Sequence, residues 1–191
     1  WQQFASTKAT AMKFEKLTVY RSAEMSSMNP QWNVTTTSEK LTRVVFAMQL
    51  ASAKNSQTAN SAIYKHLNGT DYRLRMGSVV LPRDNIVADW GNKQVSRLWR
   101  DLLKTFDRDN DYDGGIAFNY ADFINLYPFV AFDFRDSTNL NPTAAGSTVA
   151  IEFEAQLTAD PGANYHIYAF VFSERQCLVS TTERKVLFTM K

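Results

Sequence analysis

The residues best suited to chemistry lie in DRDNDYDGG, 107–115. Counted from Asp109, carboxylates recur at Asp109, Asp111 and Asp113, with Gly114 and Ile116 behind them. These residue types open an EF-hand loop, where alternate carboxylates and a sharp glycine turn wrap a hard cation. The far end of the loop departs from that pattern. Calcium takes roughly six to eight oxygens, and a glutamate late in the loop normally supplies two of them. Tyr120 stands at that position, and Asp122 comes too late. A register starting at Asp107 puts Tyr112 where the turn needs glycine and Phe118 at the bidentate position. The favoured reading is a solvated turn, where Asp, Asn and Gly supply local backbone bonds and left-handed conformations. A weak calcium site is the alternative. A paired calcium sensor is not supported, since only one such loop is present.

Other candidates are weaker. His66 and His166 are the only histidines, and neither has a Cys or His partner at metal-ligand spacing. His166 falls inside the alternating run NYHIYAF, which suits a packed or hydrogen-bonded ring better than a base. Glu152 and Glu154 share one strand face, but a glycosidase pair usually faces one cleft from different strands, so a solvated face is preferred. NGTDYR lacks the lysine and helix of a phosphate loop, and Gly77–Ser78 lacks the spacing of a nucleophile elbow. Cys177, the single cysteine, rules out an internal disulfide framework and reads as a small buried hydrophobe. Asn33 and Asn68 match glycan acceptor triplets, which without an export signal mean little. No catalytic, cofactor-binding or metal-ligating residue is assigned, and no cofactor is expected.

The elements that must position these residues are mostly strands. The chain has 191 residues, enough for one domain with a sizeable core, and its 13 Phe and 8 Tyr suit sheets. A formal net charge of +2, with Lys and Arg spread along the chain, does not favour specific nucleic-acid binding. No apolar run is long enough to span a membrane, so membrane insertion is not expected. The start, WQQFASTKAT, has no signal region and no initiator Met, which fits a trimmed or cleaved piece of something longer.

Alternation predicts strands over 12–21, 41–50, 72–82, 127–134, 147–157, 164–173 and 184–190. Tyr72, Leu74 and Met76 fall on one face with Arg73 and Arg75 opposite; Val149, Ile151 and Phe153 oppose Glu152 and Glu154. Gly77 marks a bulge or close approach, and Pro82 ends its strand. Residues 26–40 read as a polar stretch broken by Pro30, and 52–61 and 135–146 as exposed loops. Leu98, Leu102 and Phe106 line one stripe of a helix over 95–106. The pattern predicts an all-β, antiparallel sandwich or barrel with one helix. Such a protein works through its shape and contacts, either as an assembling subunit or as a lectin-like binder of glycan or protein. Trp32, Trp90 and Trp99 are the candidate aromatic platforms for the second reading, although Trp99 lies within the helix.

LTRVVFAMQL, YRLRMGSVVLPRDNI, the helix with its acidic turn, FNYADFINLYPFVAFDFRD and RKVLFTMK together carry a sharper resemblance. Over 41–191 the chain resembles the C-terminal jelly roll of double-jelly-roll major capsid proteins, in the Polinton-like and adintovirus-like style. Gly77 with Pro82, and Ala131–Phe132–Asp133–Phe134 after the helix, match the family's pattern. The resemblance implies a jelly-roll sandwich of two antiparallel sheets with one inserted helix, and a viral, shell-building structural protein of the virion capsid. It also implies self-association, or pairing with a second jelly-roll domain in a trimeric capsomer, and no catalytic residues. Family members usually carry two jelly rolls, whereas 1–191 has room for one, so the chain is expected to be a single roll or half of a longer subunit.

Overall fold

The alternating runs fold into two facing antiparallel sheets. The computed structural model describes residues 9–37, 40–54, 56, 58, 60–77, 79–108, 117–135, 148–158, 162–180 and 185–189. Nine strands are described: β1 (Ala9–Arg21), β2 (Gln31–Thr37), β3 (Lys40–Leu50), β4 (Gly69–Met76), β5 (Val79–Val87), β6 (Val130–Asp133), β7 (Thr148–Leu157), β8 (Tyr165–Ser180) and β9 (Lys185–Thr189). One sheet runs β1-β8-β3-β6, with β9 also beside β8; the other runs β2-β7-β4-β5. The first eight strands pair from the outside of the sequence inward: β1 with β8, β2 with β7, β3 with β6 and β4 with β5. A chain folded double and then rolled into two sheets is a jelly roll.

The core lies between the sheets. Tyr72, Leu74, Ile151 and Phe153 enter from one side, and Val44, Phe46, Ile167 and Val171 from the other, all buried. Phe46 and Phe153 stack with ring centroids 4.2 Å apart, which locks the two sheets face to face. The apolar faces of β7 and β8 thus meet in one core. Each such side chain contributes roughly 1.5–3 kcal/mol by leaving water.

Among the described residues two α-helices lie outside the sandwich, α1 (Ser96–Thr105) and α2 (Tyr120–Asn125). Helix α1 packs beside β6 and buries Leu98 and Leu102, two of the three residues of its predicted stripe, with Phe106 half-buried at its end. Helix α2 was not expected. Its start is set by a capping box: the Asn119 side chain accepts from the Asp122 amide at 2.9 Å, and the Asp122 carboxylate accepts from the Asn119 amide at 3.3 Å.

Three further expectations need correcting. The polar stretch 26–40 contains β2, because its apolar side is thin: Val34 and Thr36 are buried while Asn33 and Thr35 face water. The single strand over 72–82 is a hairpin. Gly77, at φ +58°, turns the chain from β4 into β5 rather than bulging it. Pro82 lies within β5, at the edge of its sheet where a missing N–H is tolerated. The strand over 127–134 shortens to β6, since Pro128 and Phe129 lead into it.

Candidate functional site

The register places side chains from three strands on the outer face of the β1-β8-β3-β6 sheet. Leu17 sits opposite Phe172, Val19 opposite Phe170, and Val45 opposite Phe170 on the other side. Directly paired residues share a face. Phe170 meets the rings of Phe129 and Tyr64 at 6.4 and 6.3 Å, and Phe172 meets Phe106 at 5.7 Å. Phe106, Phe129, Phe170 and Phe172, with Leu102 and Phe118, line an apolar groove of about 520 Å³. The groove continues onto β1, where Leu17 is 49% and Val19 51% exposed. β-Branched and long apolar side chains facing water beside an apolar groove mark an interaction surface.

One end of this face is closed by charges. Arg43 donates from Nε and Nη2 to the two Glu15 carboxylate oxygens at 3.1 and 2.6 Å, and from Nη1 to the Thr105 carbonyl at 3.1 Å. Its guanidinium also lies 5.3 Å from the Phe106 ring centroid and 5.5 Å from that of Phe172. The bulge at Thr42, between Leu41 and Arg43, keeps Leu41 in the core while Arg43 faces out. The Thr42 hydroxyl donates to Glu15 as well, at 2.5 Å.

Arg135 repeats the device. It donates to both Asp133 oxygens, to Asp107 Oδ2 at 2.5 Å, and to the Lys104 and Thr105 carbonyls at the end of α1. Two guanidiniums thus neutralise the negative end of α1 and tie it to the sheet. The hydrogen bond from Arg135 holds the Asp107 carboxyl below its ordinary range, outweighing a small desolvation effect. Burial pushes the Asp133 carboxyl up, but bonds from Arg135 outweigh it and the net shift is downward.

The sequence candidates do not converge on a catalytic centre. Asp109, Asp111 and Asp113 lie outside the described residues. Tyr120 and Asp122 have structural work: the Tyr120 hydroxyl donates to the Lys93 carbonyl at 2.8 Å, and Asp122 caps α2. His166 is buried, with Nδ1 3.2 Å from the Ser22 carbonyl oxygen. His66 stacks on Trp90 at 4.7 Å, and burial, then the charge of Lys65, lowers its pKa. Glu152 and Glu154 lie on the outward face of β7, both against Arg75, at 3.5 and 3.1 Å. Cys177 is buried and unpaired as a thiol. Among the described residues no cluster of His, Cys, Asp or Glu is arranged to hold a metal, and no helix is long and apolar enough to cross a membrane.

Two of the three tryptophans proposed as platforms are also structural. Trp90 is buried, donating from Nε1 to the Gly69 carbonyl at 2.8 Å and to the Tyr72 hydroxyl at 3.2 Å. Burial raises the Tyr72 pKa well above its ordinary value, against the smaller opposing effect of Trp90. Trp99 packs among Phe118, Tyr120 and Phe123 with centroids 5.2–6.0 Å away. The sequence reading missed the outer apolar face itself. Its signal was the odd-numbered pair Leu17 and Val19 in β1, which is legible only once β8 is known to lie beside it.

The fold and surface together define a jelly-roll protein of the two-sheet, eight-strand type with an added ninth strand. The chain is similar to a chain of the Sputnik virophage solved by cryo-EM, with TM-score 0.53 and 9% identity, covering 96% of this chain and 39% of that one. It is also similar to the major capsid protein of mavirus, with TM-score 0.47 and 10% identity, over 96% of this chain and 42% of that one. The chain thus spans about two fifths of the length of these structures. No protein-family model and no curated protein matches it. The likeness to the Sputnik chain reaches back through β1 and β2, so the roll is not confined to the 41–191 stretch on which the sequence resemblance rested.

Proposed function

We propose that this chain is a shell-building jelly roll of a viral major capsid protein and works in the virion. In this reading it is one roll of a longer double-jelly-roll subunit, packed against a second roll or another copy in a trimeric capsomer. It carries no catalytic activity, inserts in no membrane and reads no nucleic-acid sequence. The carrying observation is the outer apolar face: Leu17 and Val19, half exposed, run into the aromatic groove beside Phe170 and Phe172. A jelly roll with a solvated surface all round would have no such face to bury in a neighbour.

A lectin-like reading is less well supported, because Trp90 and Trp99 pack inward and offer no platform for a sugar. The test is a Leu17→Asp/Val19→Asp double variant of the whole encoded polypeptide. Both side chains already face water, so the variant is expected to keep its melting temperature. It is expected to lose capsomers in light scattering, since the carboxylates cannot be buried unpaired. Normal capsomers from a folded double variant contradict the reading.

A further inference from the structure

His66 opens a turn with two consecutive left-handed residues, Leu67 at φ +50° and Asn68 at φ +52°. Side chains other than glycine take this conformation only where their surroundings hold them there. Two bonds within the turn do so. The Asn68 amide donates to His66 Nδ1 at 3.0 Å, and the Gly69 amide donates to the His66 carbonyl at 3.0 Å. The turn also fastens the end of β7, because the Asn68 carbonyl accepts from the Thr158 amide at 3.1 Å and from its hydroxyl at 3.0 Å. Trp90 covers the imidazole, with ring centroids 4.7 Å apart and planes 8° from parallel. The same indole donates to the Gly69 carbonyl and so braces the far side of the turn.

We propose that His66 is a proton-sensitive latch: the neutral imidazole keeps this turn closed, and protonation opens it and loosens its hold on Thr158 at the end of β7. This goes beyond the shell reading and holds whether or not the chain builds a shell. A backbone amide can only donate, so Nδ1 is the bare, accepting nitrogen of a neutral ring. An imidazolium carries a proton on both nitrogens. Its Nδ1 proton would point at the Asn68 N–H, and the bond that holds the left-handed pair is lost.

Each segment around the ring brings groups that bear on this step. Lys65 precedes it in the chain. The turn that carries Trp90 brings Lys93 and Asp89, whose carboxylate accepts from the Asn92 amide at 3.0 Å and from its side chain at 2.7 Å. Strand β4 brings Asp71, which accepts from Asn85 at 2.6 Å, and Tyr72, kept protonated by its burial. Strand β7 is followed by the uncharged Thr158. An imidazolium would gain a cation–π attraction from Trp90. Burial, then the charge of Lys65, opposes it and lowers the His66 pKa. The folded chain therefore binds fewer protons at this group than the unfolded one. The stability it contributes is present above the ordinary histidine value, about 6.5, and is lost as pH falls through the lowered folded value.

The experiment uses the 191-residue chain. Nuclear magnetic resonance follows the His66 ring and the Asn68 amide through a pH titration. The chain has two histidines, so the ring signal missing from His66→Asn identifies His66. Ring and amide are expected to share one midpoint, below about 6.5. Protection of the Asn68 amide from exchange, corrected for the intrinsic effect of pH, is expected to fall about tenfold across that midpoint. His66→Asn is expected to keep the protection throughout, since an Asn side chain accepts from the amide two residues on and does not titrate. Lys65→Gln is expected to raise the midpoint, because it removes a repelling charge. Thermal melts at neutral pH separate misfolding from a lost latch. An Asn68 amide that ignores the His66 titration overturns the proposal, as does a midpoint above about 6.5. So does a folded His66→Asn that loses protection in acid as the wild type does. None of these results touches the shell reading, which is tested on the outer face and in the whole polypeptide.

Discussion

Arg43 holds Glu15 across the width of β8, with both carboxylate oxygens engaged at 3.1 and 2.6 Å, and spends its remaining nitrogen on the last carbonyl of α1. The pair is partly shielded, with side chains 17% and 31% exposed. It links β1, β3 and the covering helix at one point.

Arg43→Ala is expected to cost about 2–3 kcal/mol, because charge-assisted bonds are lost and the Phe106 and Phe172 rings lose their cation. Arg43→Lys is expected to recover only a small part, since a single ammonium cannot make the two parallel bonds and reach Thr105 as well. Urea denaturation measures both, with an unchanged slope showing that stability alone has moved.

Gly69 gives a second test. A Cβ placed there would meet the Tyr72 hydroxyl at 2.2 Å and its ring carbon at 2.7 Å. Tyr72 is fully buried and held by Trp90, so it has little room to retreat. Gly69→Ala is expected to destabilise by about 1–3 kcal/mol through overpacking. A thermal melt unchanged from wild type would contradict the packing of this end of the sandwich.

The Arg135 cluster sets a pH dependence. Asp107 and Asp133 both have lowered pKa values in the folded chain. A carboxylate with a depressed folded pKa binds fewer protons folded than unfolded. Its stabilisation is therefore present above the unfolded value, about 3.9, and is lost as pH falls through the folded one. Denaturation midpoints are expected to fall below about pH 4 in the wild type. Arg135→Ala is expected to lower the plateau at neutral pH and to flatten that acid limb. Parallel acid limbs in the two proteins would show that Arg135 does not set them.

The acidic loop that opens at Asp109 is expected to need no calcium, because Tyr120 begins a helix where a bidentate carboxylate is required. Isothermal titration is expected to give flat heats for the wild type and for Asp109→Ala/Asp111→Ala alike. Micromolar binding lost in the double variant would contradict this.

Much of the fold was legible because one face of each sheet is buried. Leu74 and Phe153 alternate with Arg75 and Glu154, and that period of two survives into the structure, with Arg75 and Glu154 paired at 3.1 Å on the outside. The jelly roll itself followed from the resemblance and the count of strands. The strand β2 was hidden because threonine and asparagine fill it, so its hydrophobic period is carried by little more than Val34. The β4–β5 hairpin was hidden because Gly77 and Pro82 each have two readings, and pairing decides between them. Helix α2 has only six residues, too short for a periodic signal, although Asn119 and Asp122 spell its cap. The outer apolar face could not be read from any one strand, since it is made by β1, β8 and the segments that cover β3.

The proposed role of this jelly roll is to build a shell. The most direct measurement is cryo-electron microscopy of the whole encoded polypeptide under assembly conditions. Closed particles of trimeric capsomers are expected, in which the Leu17–Val19 face of this roll is covered by a neighbouring roll. Only monomers under every condition, or particles in which that face points to open solvent, would contradict it.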